Sequence, residues 1–416
     1  LSAEGGSFGS FGGDFGVSLL TGSVSQKLSG GYTQSDGGTK NSDFKRRRAY
    51  YTGSYTSRYA DLVWQAGLSS QDYGASTFYS AKFDNQWEAT RRIITSAQAD
   101  IKPFGDERFV ITPQAYWHRD VDHYQLTRGK EGAKNGENYH RTDVYGASLN
   151  AHATWILGKT AVGMDIRKEH ILSTAYGDLL PENEWKDIHG TDRRYDHRGD
   201  RTNTSLFLEH NVILGGFTLS AGVLANRNTG LDGDFRFYPG VDLSYRPNEM
   251  WKFYASWNKA LRVPTYTDLY TSNSVQHGDT GLRPERTSTF KAGTRFRTRG
   301  VEAVVSGFYS KGNDIIDWVY ETEESRKYHA MNIGKLDNMG YSVDATLNMT
   351  ELLPGSFVTR IKAGYARIHQ RHTTEQPVYR SLYALEYLRH KATFQLDHRI
   401  WSRLSASWAV RWQERM

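Results

Sequence analysis

Apolar and polar residues alternate along most of the chain with a period of two. In residues 217–226, "FTLSAGVLAN", apolar side chains occupy every second position, and the same alternation recurs in residues 251–257, 301–309 and 404–412. Successive side chains of a β-strand point to opposite faces. The pattern therefore predicts many strands that each have one apolar and one polar face.

Short turns and long polar segments alternate between these predicted strands. The short turns lie near residues 56–61, 102–107, 156–159, 214–217, 246–249, 298–300, 353–356 and 398–402. The long segments, rich in Tyr, Trp, Asp, Asn and His, are residues 122–142, 175–204, 262–286, 311–337 and 368–389. A soluble sandwich has no reason to separate its loops in this way, whereas outer-membrane barrels have short periplasmic turns and long extracellular loops.

The sequence therefore predicts an all-β fold, a transmembrane antiparallel β-barrel of about eighteen or nineteen strands. The strands should have roughly 10 to 16 residues, more than the 9 to 11 that a bilayer requires, so we expect the barrel to extend into the extracellular space. Trp251, Trp257, Trp408 and Trp412 are expected near strand ends, where interfacial aromatic girdles lie.

Composition restricts the possible classes of protein. Among 416 residues, 38% are hydrophobic and 13% aromatic, and no apolar run reaches the length of about 18 residues that a membrane-spanning helix needs. The net charge of +6 is spread over 52 basic and 46 acidic residues, with one concentrated basic stretch, "FKRRR" at 44–48, so no nucleic-acid partner is expected. The absence of cysteine argues against disulfides and thiolate metal sites.

Both ends of the sequence look internal to a longer protein. The chain starts at Leu1 without a signal peptide and stops at "WQERM" directly after an alternating run. We therefore expect residues 1–416 to be part of a barrel domain.

Two segments around the predicted loop at 262–286 resemble the paired boxes of TonB-dependent outer-membrane receptors. The first, "KALRVPTYTDLY" at 259–270, resembles F-R-A-P-x-x-x-E-L-Y, and the second, within "GDTGLRPERTSTFKAGTRFR" at 278–297, resembles N-P-N-L-K-P-E. The matching residues are Arg262, Pro264, Leu269 and Tyr270 in the first box and Leu282, Arg283, Pro284 and Glu285 in the second. Val263, Asp268 and residues 279–281 depart from the family pattern.

A third segment, "YHAMNIGKLDNMGYSVDATL" at 328–347, looks like a conserved strand of the same family, with Asn332, Gly334 and Gly340 matching. The resemblance implies a bacterial outer-membrane active transporter for a scarce, large nutrient, energised through the TonB complex. Such receptors have about 22 strands around a plugged lumen. The plug domain and the last strands would then lie outside this sequence, and energy coupling would depend on that plug.

Within the family, the Tyr-rich segment at 69–92, expected to be a loop, looks most like cobalamin receptors of Bacteroidetes-type bacteria. That resemblance favours cobalamin as the transported small molecule and implies a surface lipoprotein that captures it. Haem or siderophore uptake by the same fold is the alternative. A passive porin is disfavoured by the paired boxes, and an enzyme by the lack of any catalytic motif.

A calcium site is one candidate in the first long loop. Asp36, Asn41 and Asp43 lie close together in the sequence, where cobalamin receptors carry calcium-binding acidic residues. Closely spaced oxygen ligands suit Ca²⁺, and an ordinary solvated loop is the alternative. No cofactor is otherwise required.

Aromatic residues near predicted loops are candidates for a lid over the ligand. Amphipathic Tyr and Trp side chains can cover a large corrinoid or siderophore at low entropic cost. The candidates are Tyr73, Phe78, Tyr79 and Trp87, with Trp117, Tyr124, Trp318 and Tyr320 at similar loop bases. The alternative for all of them is girdle or loop packing.

His277 lies between the two family boxes. Haem receptors carry an axial histidine in this position, and neutral imidazole is a good iron ligand. The chain has 14 histidines, nearly all in predicted loops, so a histidine is also expected here by chance.

Overall fold

The computed structural model describes residues 1–79, 82–231, 233–273, 275–382, 385 and 387–415. In this part of the chain the strands are β1 (Ser2–Gly5), β2 (Phe11–Thr21), β3 (Val24–Ser35), β4 (Phe44–Thr56), β5 (Ala60–Ser76), β6 (Gln86–Ile101), β7 (Phe109–Gln125), β8 (Glu137–Trp155), β9 (Gly158–Ser173), β10 (Asp178–Leu179), β11 (Lys186–Asp187), β12 (Arg194–Tyr195), β13 (His197–Leu214), β14 (Phe217–Asn228), β15 (Arg236–Tyr245), β16 (Trp251–Arg262), β17 (Gln276–His277), β18 (Glu285–Thr298), β19 (Val301–Asn313), β20 (Ile316–Tyr320), β21 (Tyr328–Asn332), β22 (Gly334–Asn348), β23 (Val358–Thr374), β24 (Arg380–Ser381), β25 (Leu388–Trp401) and β26 (Leu404–Arg415). The helices are α1 (Tyr266–Tyr270) and α2 (Met349–Leu352), with 3-10 turns at Ala133–Asn135 and Glu182–Glu184. None of these helices is long and apolar enough to cross a membrane.

Twenty of these strands form one antiparallel sheet, which confirms the predicted all-β class. All of them except β1 and β10 have ten residues or more, so 18 long strands are present among the described residues, as the alternation predicted. A pair, β11 and β12, and a four-stranded sheet in the order β17, β21, β20, β24 lie in the loops. The sequence did not predict these small sheets, because strands of two to five residues are too short to show a period.

The short turns are confirmed at seven of the eight predicted positions. The eighth, at 398–402, is wrong in its bounds: β25 continues to Trp401, with His398 opposite Ala406 and Arg399 opposite Ser405. The polar side chains of residues 398–402 favoured a turn there. Hydrogen bonds between strands use only backbone groups, however, so polar residues can continue a strand. One turn was missed, between β2 and β3, where Gly22 has a φ of 59°.

The long loops are shorter than predicted, because the strands continue into them. β7 ends at Gln125 and β8 begins at Glu137, where the sequence had predicted a loop over 122–142. β8 has 19 residues, more than the predicted upper length of 16. Beyond the bilayer both strand faces are polar, so the alternation disappears while the ladder continues.

The Tyr-rich segment at 69–92 is likewise mostly strand. β5 runs to Ser76 and β6 begins at Gln86, so the connecting loop starts at residue 77 and ends at residue 85. The expectation of an extended loop there was wrong.

The chain divides into two compact units, the first comprising Leu1–Ile156, Thr160–Leu208 and Ala225–Arg236 and the second Leu157–Lys159, Glu209–Leu224 and Phe237–Met416. In the first unit the buried apolar cluster lies beneath the loop after β9. Its members are Tyr139, Leu172, Leu180, Ile188 and Tyr195. In the second unit the buried clusters lie around β20 and β21, with members Leu282, Ile316, Trp318 and Ala330, and Ile315, Val319, Ile333 and Leu336. In both units, these cores consist of loop residues packed with residues at the loop ends of long strands.

Along the long strands, by contrast, the apolar face is the exposed one. In β14, Phe217, Leu219 and Val223 are exposed, whereas Thr218 and Ser220 on the other face are half-buried. A water-soluble sandwich buries its apolar face, so this inversion is what a strand facing lipid requires. We call the apolar face outward and the polar face inward.

The expected aromatic girdle is confirmed only in part. Trp251 begins β16 and stacks near Phe253 and Phe296, at ring distances of 5.8 and 4.7 Å. Trp257, in contrast, is in the middle of β16, opposite Phe290. A tryptophan on the outward face is compatible with either position, so the residue type alone could not locate it.

Candidate functional site

A cluster of tyrosines and carboxylates lies at the loop end of β5, β6 and β7 in the first unit. Tyr73 is opposite Glu88, and Glu88 is opposite Tyr124, so the three side chains share the inward face. Tyr73 and Tyr79 both donate hydrogen bonds to Glu88 Oε2, and their hydroxyl oxygens are 3.3 Å apart. Strand register thus brings together residues that are far apart in the sequence.

The remaining contacts fix the rings of this tyrosine cluster. Tyr79 meets Tyr124 edge to face at 5.6 Å between ring centroids, and the Tyr124 hydroxyl donates to Oε1 of the fully buried Gln86 at 2.6 Å. Phe78 packs edge-on against Tyr79 at 4.9 Å, yet remains 79% exposed. Burial and the hydrogen bond to Glu88 raise the pKa of Tyr79, so its phenol stays protonated. An exposed aromatic tip on a hydrogen-bonded base can contact a flat, polar ligand.

Asp122 is a second carboxyl on the same inward face. It is the fourteenth residue of β7, beyond the roughly 9 to 11 residues that span a bilayer. Burial and the nearby Glu88 carboxylate raise the pKa of Asp122 to about 8. Sequence reasoning missed Glu88 and Asp122. Asp122 is two residues before Tyr124, so the two side chains point to the same face of β7, and this signal was present in the sequence. Glu88 could be added only once the pairing of β6 with β7 was known.

Trp87 and Trp117 do not join this cluster, so the aromatic residues that were expected to form one lid lie on two different faces of the sheet. Both lie on the outward face, where Trp87 meets His123 at 5.1 Å and Trp117 donates to Asp143 at 3.1 Å. Trp117 is the ninth residue of β7, within the strand, and the prediction of a loop-base position was wrong.

The three candidate calcium ligands are placed around an arginine. Arg128 donates to both carboxylate oxygens of Asp43, at 2.6 and 2.9 Å, and to Asn41 Oδ1 at 3.1 Å. The hydrogen bond from Arg128 lowers the pKa of Asp43. Asp36 lies apart, next to Gly9. A calcium ion at Asp43 would have to displace the guanidinium, and the described residues contain no group of three His, Cys, Asp or Glu arranged for a metal.

In the second unit, the family boxes form the base of the loop between β16 and β18. Arg262 lies between two carboxylates, 3.3 Å from Asp268 and 3.6 Å from Glu285. Thr265 and Asp268 form a reciprocal capping box that starts α1. Glu285 accepts the Ile316 N–H at 2.9 Å, and burial raises the pKa of Glu285.

The third family segment is tied to the second box through Asn332. Its Oδ1 accepts the Arg283 N–H at 2.9 Å, and its Nδ2 donates to the carbonyls of Arg283 and Asp314 at 2.9 and 2.7 Å. Pro264 is fully buried, and Leu282 and Leu269 pack into a core cluster. The residues that match the family segments therefore hold the loop base together. These contacts alone are enough to explain why the family needs these residue types here.

The last aromatic candidates lie above this base. Trp318 is only 5% exposed and packs in the loop core with Leu282, so its contact with a ligand stays a prediction that this packing does not favour. Tyr320 stacks on Tyr328 at 4.1 Å. His277 is exposed and lies opposite His329 in the pairing of β17 with β21, with ring centroids 5.9 Å apart.

Residues 3–415 match the family model described as TonB dependent receptor-like, beta-barrel. The match covers nearly the whole chain, and the chain belongs to this family. Its members are transporters of the bacterial outer membrane, and this is an outer-membrane protein.

Solved structures of the family share the fold at low identity. The ferric enterobactin receptor from Pseudomonas aeruginosa is 14% identical, with 97% of this chain and 65% of that chain covered and a TM-score of 0.71. The FrpB iron transporter from Neisseria meningitidis is 16% identical, with 97% and 66% covered and a TM-score of 0.71. The copper transporter OprC is 17% identical, with 98% and 65% covered and a TM-score of 0.75. The chain thus spans about two thirds of the length of these proteins.

Proposed function

We propose that the intact receptor imports a metal chelate of the siderophore type, energised through the TonB complex. The observation that carries this proposal is the exposed aromatic tip, Phe78 and Tyr79, on its hydrogen-bonded base at the loop end of the inward face. The named ligands of the related structures, enterobactin, iron and copper, support metal uptake, although identities of 14 to 17% establish only the fold.

Cobalamin is the second candidate. It rests on the resemblance of residues 69–92 to cobalamin receptors, which also implies a capturing surface lipoprotein. Because most of that segment is strand, it offers a short loop rather than a broad lid. A calcium ion at Asp36, Asn41 and Asp43 belongs to this candidate and would require Arg128 to leave Asp43.

Haem is the third candidate, and His277 is the residue that favours it. The ring is exposed and next to that of His329, whose Nδ1 lies 2.8 Å from Glu321. A partnered Nδ1 leaves the Nε2 of His329 available to a metal.

The test is ligand binding by the full-length receptor, measured by tryptophan fluorescence with ferric enterobactin, cyanocobalamin and haemin. We expect the siderophore to bind most tightly and Phe78→Ala to weaken it up to about tenfold, the value of one aromatic contact. Phe104→Ala is the matched control, because Phe104 is equally apolar and 63% exposed but lies in the short turn before β7.

Three outcomes would overturn the proposal. Tighter binding of cyanocobalamin would favour cobalamin, and tight haemin binding lost in His277→Ala would favour haem. Uptake that is unchanged in cells lacking TonB would indicate a passive porin.

A further inference from the structure

A row of arginines crosses the outward face of the first unit. Strand register places Arg47 opposite Ser70, Ser70 opposite Arg91, Arg91 opposite Val121 and Val121 opposite Arg141. Residues directly opposite each other in antiparallel strands point to the same face. The three arginines therefore lie on alternate strands, about 9 to 10 Å apart along the row.

The row directly below this one identifies the face as the one that meets lipid. Two residues toward the short turns, Ala49, Leu68 and Ile93 are opposite one another, and Leu68 is 56% exposed. Leu149 is also 56% exposed, on the same face of β8 as Arg141. On β4 to β6 the arginine row thus continues an apolar, outward-facing surface, whereas on β7 and β8 the row below holds the ion pair of Arg119 with Asp143.

The height of the row places it where the hydrocarbon ends. Arg47 is ten residues from the short-turn end of β4 and Arg91 eleven residues from that of β6, counting the end residues Thr56 and Ile101. A spanning strand requires about 9 to 11 residues. The guanidinium groups of Arg47 and Arg91 are therefore level with the headgroups of the outer leaflet.

Arginines on the inward face are paired differently. Arg48 forms an ion pair with Asp14 at 2.6 Å, and Arg92 with Asp120. In the part of the chain that the structure describes, neither Arg47 nor Arg91 pairs with a carboxylate: Arg47 lies 5.9 Å from the ring centroid of Tyr32. Arg141 shares Asp143, 3.4 Å away, with Arg119. Arg141 also lies over the Tyr195 ring at 5.9 Å, beneath the loop after β9, so it belongs to the packing of that loop. On the outward row, positive charge is therefore left for a partner outside the protein at Arg47 and Arg91.

We propose that Arg47 and Arg91 bind the phosphate groups of anionic lipids in the outer leaflet around the protein. A guanidinium matches a phosphate in shape and donates two parallel hydrogen bonds. Its aliphatic stem lies along the apolar surface while the charge reaches the headgroups. The lipid ring would orient the loop end of the first unit relative to the membrane.

The test titrates the full-length receptor in non-ionic detergent with labelled lipopolysaccharide, either intact or enzymatically dephosphorylated, and separately with inorganic phosphate. The variant is Arg47→Gln with Arg91→Gln. The control is Arg46→Gln with Arg92→Gln, which removes the same charge from neighbouring positions on the inward face. Arg47→Lys with Arg91→Lys keeps the charge but loses the paired hydrogen bonds.

We expect the wild type and the inward control to bind the intact lipid about tenfold more tightly than the dephosphorylated one, since one charged hydrogen bond is worth about that much. The outward glutamine variant should lose this preference, and the lysine variant should keep part of it. Equal losses in both glutamine variants, or no preference for the phosphorylated lipid, would overturn the proposal. So would displacement by inorganic phosphate at the lipid's own concentration, which would identify free phosphate as the ligand.

Discussion

Asn332 links two family segments that are about fifty positions apart in the chain. Its amide makes three hydrogen bonds to the backbone of Arg283 and Asp314. We expect Asn332→Ala to lower the free energy of unfolding by about 1 kcal/mol, because three backbone groups lose a hydrogen-bond partner and two of them are open to water. Asn332→Asp keeps the acceptor and loses both donors, so its effect should be intermediate. Heat-induced unfolding, followed by gel mobility, measures both; an alanine variant as stable as the wild type would contradict the role.

Asp122 makes the stability of the first unit depend on pH. Its folded pKa of about 8 exceeds the ordinary value of 3.8. Between these two values the folded protein retains a proton that the unfolded chain releases, so stability should fall as pH rises from about 4 to 8. Glu88, Tyr73 and Tyr124 face the same space, and His140 is opposite Asp122 on β8.

Asp122→Asn should remove most of this pH dependence, because an amide does not titrate. The measurement is the unfolding midpoint of both proteins at several pH values. Asp120→Asn is the control, since Asp120 lies in the same strand and forms an ion pair with Arg92. Parallel curves for Asp122→Asn and the wild type would count against the assignment.

Individual side-chain contacts were predicted least well from the sequence. Tyr73, Tyr79 and Tyr124 were identified as candidates, but their partner Glu88 depends on strand register, which no single segment encodes. Trp318 was misplaced because an amphipathic ring suits a ligand surface and a small loop core equally well.

Among the elements, the junction of β21 and β22 depends on a glycine. Gly334 has a φ of 106°, and a Cβ there would lie 2.5 Å from the Thr373 carbonyl oxygen. We expect Gly334→Ala to destabilise the protein more than Gly355→Ala. Gly355 has a similar φ of 91°, but no neighbour lies within 4 Å of its Cβ position. Positive φ alone costs about 1 kcal/mol or more.

The unfolding midpoints of the two alanine variants separate the contribution of backbone strain from that of the steric clash. Equal midpoints would mean that strand β23 moves away to admit the methyl group. A larger loss in Gly334→Ala would show that the ladder between β22 and β23 is fixed at this point.

Elements were predicted well wherever one strand face meets lipid. The short turns predicted at 246–249 and 298–300 and the loop predicted at 262–286 place two strands between them, close to the observed β16 at Trp251–Arg262 and β18 at Glu285–Thr298. Prediction failed where neither face meets lipid, as at the loop ends of β7 and β8, because the sequence no longer has to alternate there.

For the whole molecule, the outward apolar face determines membrane insertion. Leu219→Lys places a charge on that face at the third residue of β14, and we expect a cost of about 1 kcal/mol, because the penalty for a cation decreases toward the membrane interface. Ser220→Lys is the matched control: Ser220 is the next residue, faces inward and donates to Glu209 at 2.9 Å, which can pair with the new cation. Folding into lipid vesicles measures the difference, and equal yields would contradict the assignment of the faces.

β7 separates two protease sites that distinguish the two sides of the membrane. Its 17 residues extend about 56 Å, or about 40 Å along the membrane normal when tilted by 45°, against a hydrocarbon band of about 25 to 30 Å. Arg108 precedes the strand at the short-turn end, and Lys130 follows it in the loop beyond; both are exposed. Trypsin added to living cells should cut after Lys130 and spare Arg108, and permeabilised cells should lose both. The chain thus carries its own marker of orientation, readable by mass spectrometry without a tag.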